Sequence, residues 1–294
     1  MTPNTQHLAL PFFDDVHCSL AAGLVDWAAS QQVDETDDRT ACREWVQRLG
    51  DAGWLRYCVP AAFGGALPNL DSRALVIVRE TLAFHSPLAD FAFAMQGLGS
   101  GAITLGGTPA QQAAYLPHVA SGKKIAAFAL SEADAGSDAG AMATSAVQTN
   151  NGWAVNGSKT WISNGGIADF YVTFAKTEPG AGTRGITPFI VDATTPGVDA
   201  SAHIAVMAPH PLATLEFKNC VVSAASQLGE LNGALNWPCK RWTSFVRQWR
   251  RLRWVWPGVR WLKRSATQKS AACLAASWRT FSSRRPSWAK WRHW

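Results

Sequence analysis

Apolar residues in the first 120 positions recur at the spacing of an α-helix. One series begins just after Asp14, and another follows Asp71, a potential N-cap. The two series are Val16, Leu20, Leu24 and Trp27, and Leu75, Val78 and Leu82. Thr108, Pro109 and Gln111 supply the parts of a capping box for a further helix, with proline where its missing N–H is not needed. The pattern predicts helices whose apolar rows form core.

The hydrophobic period changes after Lys124 to that of short strands. Asn150, Asn151 and Gly152 lie between two such strands and are a strong hairpin signal. The predicted strand segments are residues 125–130, 144–149, 153–155, 158–162, 170–176, 188–192 and 215–221. No helical segments alternate with them, which favours a small barrel or sandwich. The sequence therefore predicts an α+β fold, with an N-terminal α-helical domain at residues 1–124 and a middle β domain at residues 125–233.

Residues 234–294 match neither pattern. They hold 15 Lys or Arg, no Asp or Glu, and ten of the fifteen tryptophans, whereas residues 1–233 hold 12 basic and 21 acidic residues. The net charge of +6 is therefore the sum of −9 in residues 1–233 and +15 in residues 234–294. A basic segment without acidic partners gains nothing from ion pairs along a helix face and repels itself. We expect an aberrant, disordered tail in place of a third domain.

The remaining composition argues against several classes of protein. No run of about 18 apolar residues occurs, so no membrane span is expected. Asp14 and Asp15 lie near the start with no basic segment before an apolar run, which is unlike a secretory signal. The six cysteines lack CxxC spacing, which argues against a zinc site or a disulfide framework. We expect a cytoplasmic protein with reduced thiols.

Two runs about 30 residues apart are the candidates for chemistry. The first, residues 128–138, leaves a strand and enters a loop of small residues, which exposes backbone N–H groups and hydroxyls to a ligand. The second, residues 159–165, carries Trp161 and Ser163 two positions apart, so both are predicted to face one side of a strand. Either run alone is also compatible with an ordinary turn.

Taken together and in this order, the two runs resemble the flavin-binding signatures of the acyl-CoA dehydrogenase family. Residues 49–53, 59–60, 63–65 and 156–159 match further family positions, and the similarity extends over roughly residues 14–233. The resemblance implies FAD as cofactor and an acyl-CoA thioester as substrate. It also implies an electron-transferring flavoprotein as electron acceptor and a homo-oligomeric assembly in intact relatives.

The resemblance assigns roles to the matching positions. The implied cofactor-binding residues are Phe128, Ala129, Leu130, Ser131, Gly136, Ser137, Trp161, Ile162 and Ser163. Residues 128–131 would meet the pyrimidine side of the isoalloxazine, where negative charge collects on reduction. Trp161 would lie against the flavin face away from substrate, and Ser163 would hydrogen-bond near N5. Ser137 would also contact the CoA part of the substrate, with a turn cap at Ser137 and Asp138 as the less favoured alternative.

One segment departs from the family pattern. Many relatives carry an arginine between the last strands, where this chain has Ala-Pro-His-Pro-Leu at residues 208–212. The departure leaves the subfamily and the acyl-chain preference open. His85, His203 and His210 lack metal-ligand spacing, so the sequence predicts neither a metal site nor a catalytic histidine.

Residues 228–230, Leu-Gly-Glu, resemble the point at which the family opens a C-terminal four-helix bundle. Permissible codons for the tail regroup in another reading frame into that helix. At five pairs of neighbouring residues the genetic code allows only one amino acid in the other reading frame, and each of the five fits that helix. They are Leu from Asn236–Trp237, Ala from Trp237–Pro238, Asp from Trp242–Thr243, Gly from Trp254–Val255 and Ala from Trp256–Pro257. A nucleotide lost near Gly233 would explain the charge asymmetry and the excess of tryptophan together.

The family takes its catalytic carboxylate from that bundle, so no catalytic residue can be assigned in this chain. The resemblance then implies a truncated, inactive dehydrogenase with weak or no FAD binding. Two other functions stay open. A basic, Trp-rich tail is suited to nucleic acid or an anionic membrane through charge and stacking, and a non-catalytic remnant would keep only contacts to partners.

Overall fold

The computed structural model describes residues 3 and 5–234. In this part of the chain the α-helices come first: α1 (Asp15–Ser30), α2 (Asp38–Asp51), α3 (Ser72–His85), α4 (Pro87–Gly106) and α5 (Pro109–Ala120). The strands follow: β1 (Ala126–Ala129), β2 (Ser145–Thr149), β3 (Gly152–Ser163), β4 (Phe170–Lys176), β5 (Ile186–Asp192), β6 (Val198–Ile204) and β7 (Leu212–Val222). The predicted order of helices followed by a sheet is confirmed. The expected aberrant tail lies outside the described residues from position 235 onward.

Local side-chain chemistry starts the helices where the sequence predicts. The Asp71 carboxylate accepts a hydrogen bond of 2.7 Å from the backbone N–H of Arg73 at the start of α3. At α5 the Thr108 hydroxyl accepts from Gln111 N, and the Gln111 side chain accepts from Thr108 N. These reciprocal bonds satisfy N–H groups that a helix start leaves without partners.

Helix α4 packs closely against strand β1. Gly99 lies so close to β1 that an added Cβ would be 2.6 Å from the Ala126 Cβ. The Gln96 amide donates to Lys124 O at 2.8 Å and accepts from Ala126 N at 2.7 Å. These contacts fix the first strand on the helices. None of the helices within the described residues has the length and apolarity needed to cross a bilayer.

The strands form a seven-stranded sheet whose neighbours run β1-β4-β2-β3-β7-β6, with β5 paired to the other edge of β4. β4 is parallel to β1 and antiparallel to β5, while β2 and β3 form the predicted hairpin around Asn150 and Asn151. β7 lies between β3 and β6. β4 touches β2 only at its end, and the sheet as a whole is curled into a half-barrel.

The segment after β7 is held against both regions. The Gln111 side chain of α5 donates to Ala225 O and Gln227 O, each at 2.8 Å. At the end of the described chain, Ala234 N donates to Ile186 O of β5 at 3.1 Å. The chain is therefore tied down as far as Ala234.

Candidate flavin site

The two candidate runs meet where β1 ends beside β3. Thr160 N donates a backbone hydrogen bond of 2.9 Å to Ser131 O. The side chain of the preceding lysine, Lys159, reaches the same loop and donates to Leu130 O at 3.1 Å. Residues that are 29 positions apart are thus joined by backbone and side chain.

A buried ion pair strengthens this junction. Lys159 Nζ lies 2.7 Å from Glu132 Oε1, and the two side chains are 0% and 9% exposed. The Glu132 carboxylate also accepts from Ala143 N at 2.6 Å and from Thr144 N at 3.0 Å. Burial alone would raise the pKa of Glu132, but these N–H donors and Lys159 hold the pKa below its usual range. Burial lowers the pKa of Lys159, and the pairing with Glu132 opposes that shift.

Trp161 has a backbone conformation that is uncommon for a bulky residue. Its φ is 59°, in the left-handed region, and the register of β3 with β7 is irregular between Lys159 and Ile162. Its side chain is 59% exposed. Backbone conformations of this kind cost on the order of 1–3 kcal/mol and concentrate at functional sites. The exposed indole is therefore the strongest ligand-contact candidate in the second run.

The other residues of the second run divide between core and surface. Ile162 is 2% exposed, so its side chain belongs to the core and leaves only its backbone for a ligand. Ser163 is half-buried, and its hydroxyl lies 2.9 Å from Nε2 of His210. Because the register is irregular here, the regular alternation of a strand cannot be used to place Trp161 and Ser163 on one face. Both residues are nevertheless less buried than Ile162, which lies between them.

The first run offers backbone and small side chains. Ala129 is fully buried, and the Phe128 ring packs on Phe174 with centroids 4.9 Å apart. Gly136 and Ser137 are exposed, and a Cβ added at Gly136 would meet nothing within 4 Å. The Asp138 side chain caps the following turn by accepting from Gly140 N at 3.0 Å. The turn-cap role thus falls to Asp138.

Two sequence models of one family match most of this described region. The model "Acyl-CoA dehydrogenase, N-terminal domain" matches residues 20–123, and the model "Acyl-CoA dehydrogenase, middle domain" matches residues 127–220. The chain belongs to the acyl-CoA dehydrogenase family.

Individual acyl-CoA dehydrogenases are similar to this chain in sequence and in structure. One from Bacillus subtilis is 34% identical over 204 residues, which are 69% of this chain and 53% of that protein. A crystal structure from Geobacillus kaustophilus has a TM-score of 0.69 and 27% identity, covering 78% of this chain and 62% of that one. A structure complexed with FAD, from Bacillus anthracis, has a TM-score of 0.68 and 26% identity, covering 79% and 42%. The chain spans about half the length of the Bacillus subtilis relative.

His210 lies in the segment that departs from the acyl-CoA dehydrogenase pattern. Its ring stacks on Phe91 of α4, with centroids 4.1 Å apart and planes 27° apart. Its backbone N–H donates to an Asp38 carboxylate oxygen at 3.1 Å. Burial lowers the pKa of His210 to about 4, against the opposing charge of Asp38. The imidazole beside Ser163 is therefore neutral at physiological pH.

Helix α2 holds the backbone on both sides of this pair. Arg39 donates to Gly165 O at 2.7 Å and to Leu212 O at 2.8 Å. Asn164 N donates to Pro211 O at 2.9 Å. The ends of β3 and β7 are thereby fixed to the helical region.

Sequence reasoning missed the part that Glu132, Lys159 and His210 play. Glu132 lies in the first run and Lys159 in the second, and their opposite charges could have indicated that they pair. His210 was excluded as a metal ligand, but nothing in its sequence neighbourhood indicates the contact with Ser163, 47 positions away.

Proposed function

We propose that the two joined runs form one side of an FAD site of the acyl-CoA dehydrogenase type. The site comprises residues 128–131, Gly136, Ser137 and residues 161–163. The observation that carries the proposal is the junction itself. The bond from Thr160 N to Ser131 O brings the small-residue loop beside an exposed tryptophan with a left-handed backbone.

The residues at this junction fit a flavin in three ways. The Trp161 indole presents a flat aromatic surface to solvent, which suits stacking on a planar ring. Gly136 leaves open space in which a ligand can approach the backbone closely. The pairing of Glu132 with Lys159 neutralises the Glu132 carboxylate beside the junction, so Glu132 does not oppose a flavin that gains electrons.

Each residue has a separate task in the proposed site. Bound FAD supplies the acceptor for hydride taken from the β carbon of an acyl-CoA. Trp161 covers one side of the ring and excludes water there, while the Ser163 hydroxyl offers a hydrogen bond. Ser137, exposed on the loop, is available to the CoA portion of the substrate. The reaction further needs a carboxylate to remove the α proton.

Residues 234–294 supply no such carboxylate, because they contain neither Asp nor Glu. In the family the base comes from the segment that follows the middle domain. We therefore propose that this chain does not dehydrogenate acyl-CoA, and that without the family's C-terminal bundle it binds FAD weakly. We further propose that a nucleotide lost near Gly233 changes the reading frame there, and that the acyl-CoA, the electron-transferring flavoprotein and the oligomer belong to the frame-restored protein.

Sequencing the gene around the Gly233 codon tests the frameshift. Restoring one nucleotide is expected to yield an Ala- and Leu-rich helical sequence that contains acidic residues. A second frame without that composition would overturn this part of the proposal.

Activity is tested on the purified 294-residue chain with FAD and a series of acyl-CoA thioesters under anaerobic conditions. We expect no bleaching of flavin absorbance near 450 nm. A yellow protein with stoichiometric FAD that is reduced on addition of acyl-CoA would contradict the proposed inactivity.

The proposed FAD site is tested by titration with FAD, monitored by flavin fluorescence polarisation at concentrations suited to weak binding. Replacement of Trp161 by Ala removes the stacking surface and is expected to raise the Kd about tenfold. Val147→Ala is the matched control, because Val147 is 62% exposed on β2 and outside the junction. Equal Kd values for W161A and the unchanged chain would exclude Trp161 from the site.

The composition of the tail favours a second candidate, binding to nucleic acid or an anionic membrane. The 15 basic residues and ten tryptophans of residues 234–294 support it. Binding of this kind weakens steeply as salt rises. Gel shifts with single-stranded DNA between 50 and 200 mM salt test binding to nucleic acid, and sedimentation with anionic vesicles tests binding to membranes. A non-catalytic remnant would bind neither.

A further inference from the structure

Three elements position His210, one through its backbone and two through its side chain. Phe91 of α4 stacks against its ring, Asp38 of α2 accepts from its backbone N–H, and Ser163 at the end of β3 lies 2.9 Å from Nε2. The aromatic contact fixes the plane of the ring, so Nε2 is directed at the Ser163 hydroxyl.

The backbone around Ser163 is fixed without any help from the imidazole. Arg39 donates to Gly165 O, and Asn164 N donates to Pro211 O. The freedom that remains at Ser163 is rotation of its side chain and of its hydroxyl hydrogen. His210 restrains this remaining freedom.

A neutral imidazole has one donor and one acceptor nitrogen, whereas a charged ring has only donors. Burial keeps the ring neutral, since it lowers the pKa of His210 to about 4. With the proton on Nε2, the ring donates to Ser163 Oγ and leaves the hydroxyl hydrogen for another acceptor. With the proton on Nδ1, Nε2 accepts that hydrogen.

We propose that His210 is a positioning residue that holds the Ser163 hydroxyl toward the flavin, with the ring proton on Nε2 so that the hydroxyl donates to the flavin. This inference rests on the flavin site proposed above. His210 acts through Ser163 and touches neither flavin nor substrate.

The test is a double-mutant cycle on FAD affinity in the full 294-residue chain. His210→Phe keeps an aromatic ring on Phe91 but removes the hydrogen bond, and is expected to raise the Kd five- to tenfold. Ser163→Ala should have a similar effect, and H210F/S163A should be no weaker than S163A alone, because interacting residues are not additive. His210→Gln, which retains a polar group near the Nε2 position, should recover most of the affinity.

His118→Phe is the matched control, since His118 is exposed on α5 and lies outside both runs. It should bind FAD as the unchanged chain does. A Kd for H210F equal to that of the unchanged chain would overturn the proposal. So would losses in H210F and S163A that simply multiply in the double variant.

A measurement without flavin separates this inference from the flavin site itself. In ¹⁵N-histidine NMR of the FAD-free chain, the His210 Nε2 resonance should report a protonated nitrogen and should shift in S163A, while His118 should not change. If FAD binds neither the unchanged chain nor any variant, the flavin proposal fails, and the NMR result alone decides whether His210 holds Ser163. An unaltered Nε2 resonance in S163A would overturn the inference in either case.

Discussion

The helical region and the sheet region both bury an ion pair, but they use it differently. Arg79 of α3 and Asp90 of α4 are 4% and 1% exposed, and two arginine nitrogens donate to the two carboxylate oxygens at 2.8 and 3.0 Å. Lys159 is also fully buried, but Glu132 is less buried than Asp90, and the Glu132 carboxylate also accepts two backbone N–H bonds. The first pair joins two helices, and the second joins the loop after β1 to strand β3.

The pKa values of the two carboxyl groups differ in direction because Asp90 is more deeply buried and Glu132 has the additional backbone donors. Burial raises the pKa of Asp90 even though Arg79 opposes it. At Glu132 the backbone donors and Lys159 outweigh burial, and the pKa falls. Backbone N–H groups cost little to orient once the loop is formed, so they stabilise the charged form where one cation alone does not. The buried ion pair in the helices therefore serves packing, and the one in the sheet region also shapes the loop of the proposed flavin site.

The largest expected effect is the loss of stability in Asp90→Ala. The substitution leaves Arg79 buried without its carboxylate, which costs about 3–5 kcal/mol. Urea unfolding followed by circular dichroism measures it. Glu44→Ala is the control, because Glu44 pairs with Arg48 at the surface, where such pairs contribute little. Similar losses in the two variants would show that burial of the first pair has no special weight.

His210, which links the two regions, should make stability depend on pH. Its pKa is lowered from 6.5 to about 4 in the folded state, so between these values the unfolded chain binds more protons. Stability is then complete above pH 6.5 and falls as the pH drops toward 4, by about 3 kcal/mol at most. The difference between the unchanged chain and H210Q isolates this effect from the carboxylates. A difference that stays constant over that range would contradict it.

Glu132→Gln should have a smaller effect on unfolding and a local one on the loop. Glutamine keeps the shape but removes the charge, leaving Lys159 buried with a weaker acceptor, at a cost of roughly 1–3 kcal/mol. The amides of Ala143 and Thr144 should exchange hydrogen faster, while amides in α3 and α4 should not change. Exchange that accelerates equally everywhere would mean that the second pair, like the first, serves only global packing.

The smallest expected effect is that of Thr108→Ala at the start of α5. The variant loses one half of the capping box and about 1 kcal/mol of stability. Thr108→Ser retains the hydroxyl and should restore it in the same thermal unfolding assay. Equal melting temperatures for T108A and T108S would show that α5 depends on its contacts with the sheet region and not on its cap.

The elements that the sequence predicts well are those set by neighbouring residues. Asp71, the Thr108–Gln111 box and the Asn150–Asn151 turn all act within four positions, and each forms as predicted. β6 was missed, because Val198–Ile204 is an edge strand with mostly exposed residues and little apolar alternation. Its place comes from pairing with β7.

The candidate site was predictable in position but not in geometry. Family resemblance located both runs, and the structure brings them together through Thr160 and Ser131. The left-handed backbone of Trp161 arises from an irregular register between β3 and β7, which no local pattern indicates. The contacts of Lys159 with Glu132 and of His210 with Ser163 depend on tertiary folding across 27 and 47 positions.

Anchorage of the chain up to Ala234 by Gln111 and Ile186 provides a ready point for grafting. A polypeptide fused after Ala234 would start from a fixed position, because Ala234 is hydrogen-bonded to β5. A correctly framed bundle, or a designed one, can thus be appended by engineering without rebuilding what precedes it.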